Sequence, residues 1–211
     1  MTAQASLPGI QPTEWGGELD FYETPSFALD ALLPFIPARF RQPMAFDLIE
    51  PCAGRGAIVR WAVETLRPAL VNAVEIHHGR FDELFALRGS CPNGSGFLHA
   101  DFLKLPTNSF RVWRPLLVVT NSPYSEPRET IAREICEHAL EVVGPSGCVA
   151  MLLPLGFAEG VDRAERIHDH YPSSVYVFRR RPRFGGDQGG QRPFAWFCWD
   201  RLEPKNEWRS I

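Results

Sequence analysis

From Ala45 to Asp200 the chain switches repeatedly between two hydrophobic periods. The stretches "AFDLIE" (45–50), "LVNAVEI" (70–76), "GFLHADF" (96–102), "PLLVVT" (115–120) and "GCVAMLLP" (147–154) are short, apolar and bounded by turn residues, and they predict strands. "LLVV" and "VAMLL" carry no polar face, which suits strands buried on both sides. Between them, "AIVRWAVETL" (57–66), "RFDELFALRG" (80–89) and "PRETIAREICEHALEVV" (127–143) space their apolar residues as helices do. Pro68 stops the first, Gly89 closes the second, and Pro127 and Gly144 bracket the third. "GVDRAERIHDHY" (160–171) predicts a further helix. Upstream, "FYETPSFALDALLPFI" predicts a helix that starts at Thr24-Pro25-Ser26 and is limited by Pro34 and Pro37. "SVYVFR" (174–179) and "PFAWFCWD" (193–200) predict two last strands with no helix between them.

This alternation predicts an α/β fold, a Rossmann-like doubly wound sheet with helices on both faces. Seven strands are expected, mostly parallel. The Gly- and Arg-rich connection 180–192 makes the last two a hairpin-like pair, so one strand runs antiparallel. Residues 1–20 lack periodicity and read as a flexible arm, 21–200 as one domain, and 201–211 as a C-terminal tail.

Composition narrows the function classes. The 211 residues suffice for one domain with a full core. No apolar stretch is long enough to span a membrane, and no basic-then-apolar leader is legible. Five dispersed cysteines without a CxxC pair predict reduced thiols and a cytoplasmic setting. The net charge is −3, so nucleic-acid contact requires a local basic patch. His77-His78 and His168-x-His170 have no cysteine or carboxylate cluster at ligand spacing, and no metal is expected.

Candidate chemistry falls at the C-terminal ends of the predicted strands, where doubly wound sheets bind ligands. In "DLIEPCAGRGAI" (47–58), Gly54 and Gly56 permit a tight turn and close backbone approach. A dinucleotide loop normally starts with glycine straight after the strand. Here Glu50-Pro51 stands there instead, and a carboxylate repels pyrophosphate but suits a cationic amino group. Glu75 ends the second strand, 19 residues past Gly56, where an acid typically takes ribose hydroxyls. Asp101 and Phe102 follow the third strand, placed to accept from an adenine amine and to pack on its ring. Together these features describe an adenosine that bears an ammonium group and no phosphates. S-adenosylmethionine (SAM) fits better than NAD or ATP, and no GxxxxGK[ST] loop is present.

"NSPY" (121–124) follows the fourth strand beside that loop. The lone pair of a planar aromatic amine is delocalised, which makes the nitrogen a poor nucleophile. Hydrogen bonds to Asn121 Oδ1 and the Ser122 carbonyl would draw it toward tetrahedral geometry, with both acceptors fixed beforehand. Pro123 would stiffen the turn and Tyr124 would stack on a base.

"NSPY" resembles the [DNS]PP[YFW] signature of amino-methyltransferases acting on adenine N6, cytosine N4 or a glutamine side chain. "EPCAGRGAI" resembles their SAM-binding motif, and "FYETP" (21–25) the Thr-Pro motif of adenine N6-methyltransferases. The motif order is similar to the gamma arrangement of DNA adenine methyltransferases. The resemblance covers residues 20–200 and implies a class I SAM-dependent methyltransferase fold. It implies that Tyr22, Thr24, Pro25, Glu50, Pro51, Ala53, Gly54 and Gly56 shape the methionine pocket, that Glu75 binds ribose and that Asp101 and Phe102 bind adenine. Asn121, Ser122, Pro123 and Tyr124 would form the target-amine site. Ser122 stands where the family has its first proline, which loosens the loop.

The reaction implied is methyl transfer from SAM to adenine N6 in DNA. An RNA adenine, a protein glutamine, or a non-catalytic SAM- or nucleic-acid-binding partner subunit are the alternatives. Arg179, Arg180, Arg181, Arg183 and Arg192, interleaved with Phe178, Phe184 and Phe194, supply guanidiniums for phosphates and rings for bases, and favour nucleic acid. The chain length leaves no room for a separate recognition domain, so short or relaxed specificity is expected, or recognition supplied by a partner or a structured RNA. Compactness and the arginine hairpin resemble phage- and prophage-borne adenine methyltransferases. Trp196 reads as sheet core or as a stacking residue.

Overall fold

The computed structural model describes residues 23–110, 113–124, 129–161, 165, 167, 173–182, 184 and 192–211. Eight strands form one sheet: β1 (Asp47–Glu50), β2 (Leu70–Glu75), β3 (Gly96–His99), β4 (Leu116–Thr120), β5 (Cys148–Pro154), β6 (Ser173–Val177), β7 (Phe194–Asp200) and β8 (Trp208–Ser210). Their order across the sheet is β3-β2-β1-β4-β5-β7-β6-β8. The pairs from β3 to β5 are parallel, whereas β7 runs antiparallel to both neighbours. The expected α/β sheet with one reversed strand is therefore present.

Pleating explains the two-sided core. In β4, Leu117 and Val119 point to one face and Leu116 and Val118 to the other, all fully buried. The first face packs against α1 (Ser26–Leu32), α2 (Ala57–Thr65) and α3 (His78–Phe85) through Leu29, Val59, Ala62, Phe81 and Leu84. The second packs against α4 (Glu129–Val143) through Ala132, Ile135, Cys136, Ala139 and Leu140. β1 and β4 are neighbours, yet the chain leaves β1 toward β2 and β3 on one side and β4 toward β5 on the other. Strand order thus reverses between β1 and β4, which opens a crevice at their C-terminal ends.

Some boundaries differ from the sequence reading. The third helix ends at Phe85 and continues as a 3-10 turn over Ala86–Ser90. β3 stops at His99, because Asp101 leaves the ladder to cap a 3-10 turn at Phe102–Lys104. β6 ends at Val177, short of Phe178 and Arg179. Most of 160–171 lies outside the described residues, as do the arm 1–20, Tyr22 and Arg183.

The larger difference is the eighth strand, within the segment read as a tail. β8 pairs parallel with β6, and the Ile211 N–H donates to the Val177 carbonyl at 2.8 Å while the Arg179 N–H donates to the Ile211 carbonyl at 2.8 Å. The C-terminus thereby anchors the first residue of the arginine segment. Periodicity does not reveal this strand, because "WRS" is too short to show alternation and its side chains are exposed.

Trp196 is core. It is fully buried, and its indole N–H donates to the Ala28 carbonyl at 2.8 Å, tying β7 to α1. Trp196→Phe removes that donor and part of a fully buried ring, so a loss of about 1–3 kcal/mol is expected in urea unfolding, and about 3–5 kcal/mol for Trp196→Ala. A change within experimental error for both variants would mean that β7 and α1 are not held this way.

Candidate active site at the switch point

The crevice is built on β1, β2 and β4. Glu50, the last residue of β1, is fully buried. Its Oε1 accepts from Thr120 Oγ1 at 2.7 Å and from the Cys52 N–H at 3.1 Å. Its Oε2 is buried without a hydrogen-bond partner among the described residues. Removal from water is the main reason that the Glu50 carboxyl is pushed up to about 8. The Thr120 and Cys52 hydrogen bonds oppose that rise, and the nearby Glu75 charge adds to it. Thr120 escaped the sequence reading, although the only hydroxyl closing the apolar run "LLVVT" marks it.

The loop after β1 turns back on β2. Gly54 has φ 52° and Gly56 φ 85°, a left-handed conformation that favours glycine. A Cβ on Gly56 would stand 2.3 Å from Leu87 Cδ1, so that side chain would have to shift to admit one. The loop delivers the Gly54 N–H to Glu75 Oε2 at 2.7 Å, while the His77 N–H reaches Glu75 Oε1 at 2.7 Å. Each carboxylate oxygen keeps a second lone pair, enough to accept a diol.

One cavity unites most of the predicted residues. Thr24, Pro51, Ala53, Gly54, Glu75, Asp101 and Phe102 line it together with Asn121 and Pro123. Four acids (Glu23, Glu75, Asp101 and Glu134) face two arginines (Arg55 and Arg80) in its wall, an excess that disfavours phosphates. Ile131, Glu134 and Ile135 of α4 were missed by the sequence reading, because helix periodicity does not reveal which turn meets the strand ends. Phe102 packs edge to face with the His138 ring, the ring centres 4.9 Å apart. Asp101 Oδ1 accepts from the Leu103 N–H at 3.1 Å, and Oδ2 lies 3.8 Å from Lys104 Nζ.

Other predicted residues lie outside that lining, and Glu50 is one of them: it is buried directly behind Pro51 and Cys52, which do line it. Pro25 caps α1, where its carbonyl accepts from Ala28, and Gly56 caps α2. Ser122 is buried, with Oγ unpartnered among the described residues. Tyr124 packs its ring on the edge of Phe194 at 5.2 Å, and Phe194 meets Phe184 at 4.8 Å. Arg179, Arg180, Arg181 and Arg192 are exposed. β6 runs parallel to β5 and ends at Val177, so these arginines sit on the same edge of the sheet as Glu50 and Asn121. Burial, and then the Glu50 and Glu75 charges, push the Cys52 thiol far up, which suits packing and not nucleophilic attack. No group of three or more potential metal-ligating side chains occurs among the described residues.

No protein-family model and no curated protein matches the sequence. Solved structures do match. A methyltransferase subunit of a type I restriction-modification system from Streptococcus thermophilus superimposes with a TM-score of 0.67 at 16% identity, over 90% of this chain and 47% of that one. The chain thus spans about half the length of that subunit. A provisionally assigned RNA methyltransferase from Pyrococcus horikoshii gives 0.64 at 15% identity, over 91% and 93% of the two chains. A provisionally assigned class I SAM-dependent methyltransferase from Listeria monocytogenes gives 0.64 at 12% identity, over 93% and 67%. The fold is that of class I SAM-dependent methyltransferases. At these identities the likeness establishes architecture, and chemistry rests on the residues.

The Glu50 carboxyl generates a stability prediction. Its folded value lies above the unfolded one, so the folded state holds the extra proton. That contribution is complete below about 4.5 and is lost as pH rises toward about 8, by up to ~1.4 kcal/mol per pH unit. Urea midpoints of the ligand-free protein should fall from pH 5 to pH 8, and Glu50→Gln should flatten that slope. Parallel slopes in the two proteins would show that Glu50 is ionised throughout.

Proposed function

We propose that the protein transfers a methyl group from SAM to the exocyclic N6 amine of adenine in DNA. The observation that carries this reading is a shared cavity: Asn121 and Pro123 of the target-amine motif line the same space as Gly54, Glu75 and Asp101. The residues fit the cofactor. The buried Glu50 Oε2 lacks a donor among the described residues, and an ammonium group would supply one. Glu75 offers two oxygens to a ribose diol, and Phe102, Ile131 and Ile135 offer apolar surface to a purine.

When bound, SAM supplies a methyl group on a sulfonium, activated for displacement by a nucleophile in line with the carbon–sulfur bond. The chain's work is positional. Asn121 Oδ1 and the Ser122 carbonyl accept from the two N–H bonds of the target amine and hold its lone pair toward the methyl carbon. The amine proton is lost to solvent after alkylation, so no strong base is needed. Pro123 and the packing of Tyr124 on Phe194 restrain the loop that carries these acceptors. The backbone carbonyl of Ser122 does the same work as that of a proline.

The arginines on the same edge of the sheet favour a nucleic acid over a protein glutamine. Adenine inside a duplex must be flipped to reach such a cavity. Tritium from methyl-labelled SAM, offered with duplex DNA, single-stranded DNA and total RNA, should appear as N6-methyladenine in DNA when the products are digested and resolved by mass spectrometry. Asn121→Ala should lower kcat at least ~100-fold, with the Kd for SAM within about threefold. N6-methyladenine confined to RNA would move the substrate, and SAM binding without label in any polymer would favour a partner subunit.

Phosphate binding predicts a salt signature. Replacing Arg179, Arg180 and Arg181 by Gln should weaken binding to all DNA sequences alike and reduce the slope of log K against log salt by about one for each phosphate no longer neutralised. An unchanged slope would place the nucleic acid elsewhere.

A further inference from the structure

The Glu50 environment points beyond the identity of the cofactor. Glu50 has no exposure to water. The groups that face it are Cys52 from its own loop, Glu75 from β2 and Thr120 from β4, and Asp101 beyond β3 faces Cys52 in turn. None of these is a cation, and among the described residues no ion pair reaches Glu50. The two acids are treated differently. Two backbone N–H donors satisfy Glu75, one on each oxygen. Among the described residues, Glu50 has both its donors on Oε1 and none on Oε2.

Resting on the cofactor reading above, we infer that an amino-acid ammonium group docking at the end of β1 displaces a proton from the Glu50 carboxyl, so that ligand uptake and proton release are one equilibrium. Before docking, the buried acid is neutral, its proton on the oxygen that lacks a donor. On docking, the O–H bond breaks and its proton goes to solvent. The ammonium keeps its own protons and donates one to the carboxylate left behind. No oxidant or further reactant is needed, and charge balances: a cation enters and a proton leaves. Burial of an unpaired carboxylate is costly, and burial of the pair is much less so. The upward push on Glu50 to about 8 agrees with this geometry and sets the window below that value.

The coupling has three consequences. S-adenosylhomocysteine, which carries the same ammonium group, should release close to one proton per site at pH 7. Its Kd should be about tenfold weaker at pH 6 than at pH 7, the change expected for one linked proton. 5′-Methylthioadenosine, which keeps the nucleoside and thioether but lacks the amino-acid end, should release none.

Calorimetric titration of the full chain in buffers of different ionisation enthalpy reads proton release directly and independently of turnover. Glu50→Gln should bind S-adenosylhomocysteine without release and without the pH 6 to pH 7 difference. Binding of S-adenosylhomocysteine to the native chain with no proton released, or equal release with methylthioadenosine, would overturn the inference while leaving the cofactor assignment intact. Failure of both ligands to bind would overturn the cofactor assignment and the inference with it.

Discussion

A carboxyl buried where the strand order reverses is the constraint around which this site is organised. Glu50 ends β1 beside β4, and its hydrogen bond from Thr120 spans the reversal. An acid in such a place, with one oxygen lacking a donor among the described residues, costs free energy until a donor reaches it. The loop after Glu50 is shaped by two left-handed glycines, and it ends by presenting the Gly54 N–H to Glu75 on the neighbouring strand. Two carboxyls of distinct character therefore stand at adjacent strand ends, one tied by backbone donors and one waiting for a donor.

The rest of the fold sets distances around that pair. Apolar residues on both faces of β4 and β5 fix the sheet between α1–α3 and α4, so the strand ends form a rigid floor. α4 closes the cavity over Phe102 with Ile131 and Ile135. β6 brings the chain to the same edge and the reversed strand β7 leaves from it, where Phe194 meets Tyr124 and the arginines stand exposed. β8 then secures the start of the arginine segment through its backbone. The cavity, the turn at 121–124 and the exposed arginines thus share one edge of one sheet, which makes the single transfer site proposed above physically coherent.

Much of this was legible in the sequence because it depends on period and punctuation. Unbroken apolar runs identified the buried strands, and Gly54 and Gly56 identified the loop. The acid at position 50 and the tetrapeptide at 121–124 marked the ends of β1 and β4, the two strands between which the order reverses. What stayed hidden depends on tertiary structure. Thr120 acquires meaning only when β4 lies beside β1, and Glu134 and Ile135 only when α4 settles against the strand ends. Asp101 reads in the sequence as an open acceptor, yet its Oδ1 also caps a turn. Trp196 is ambiguous until its N–H finds the Ala28 carbonyl. β8 is stabilised by backbone pairing with β6, a feature that side-chain patterning does not encode.

The central claim is that one cavity holds both an adenosyl amino acid and the amine that reacts with it. A crystal structure of the full chain with S-adenosylhomocysteine tests it most directly. The account predicts the ribose on Glu75, the ammonium group at the end of β1 beside Glu50, and the sulfur open toward Asn121. A ligand seated elsewhere, or one whose sulfur is walled off from Asn121, would contradict it.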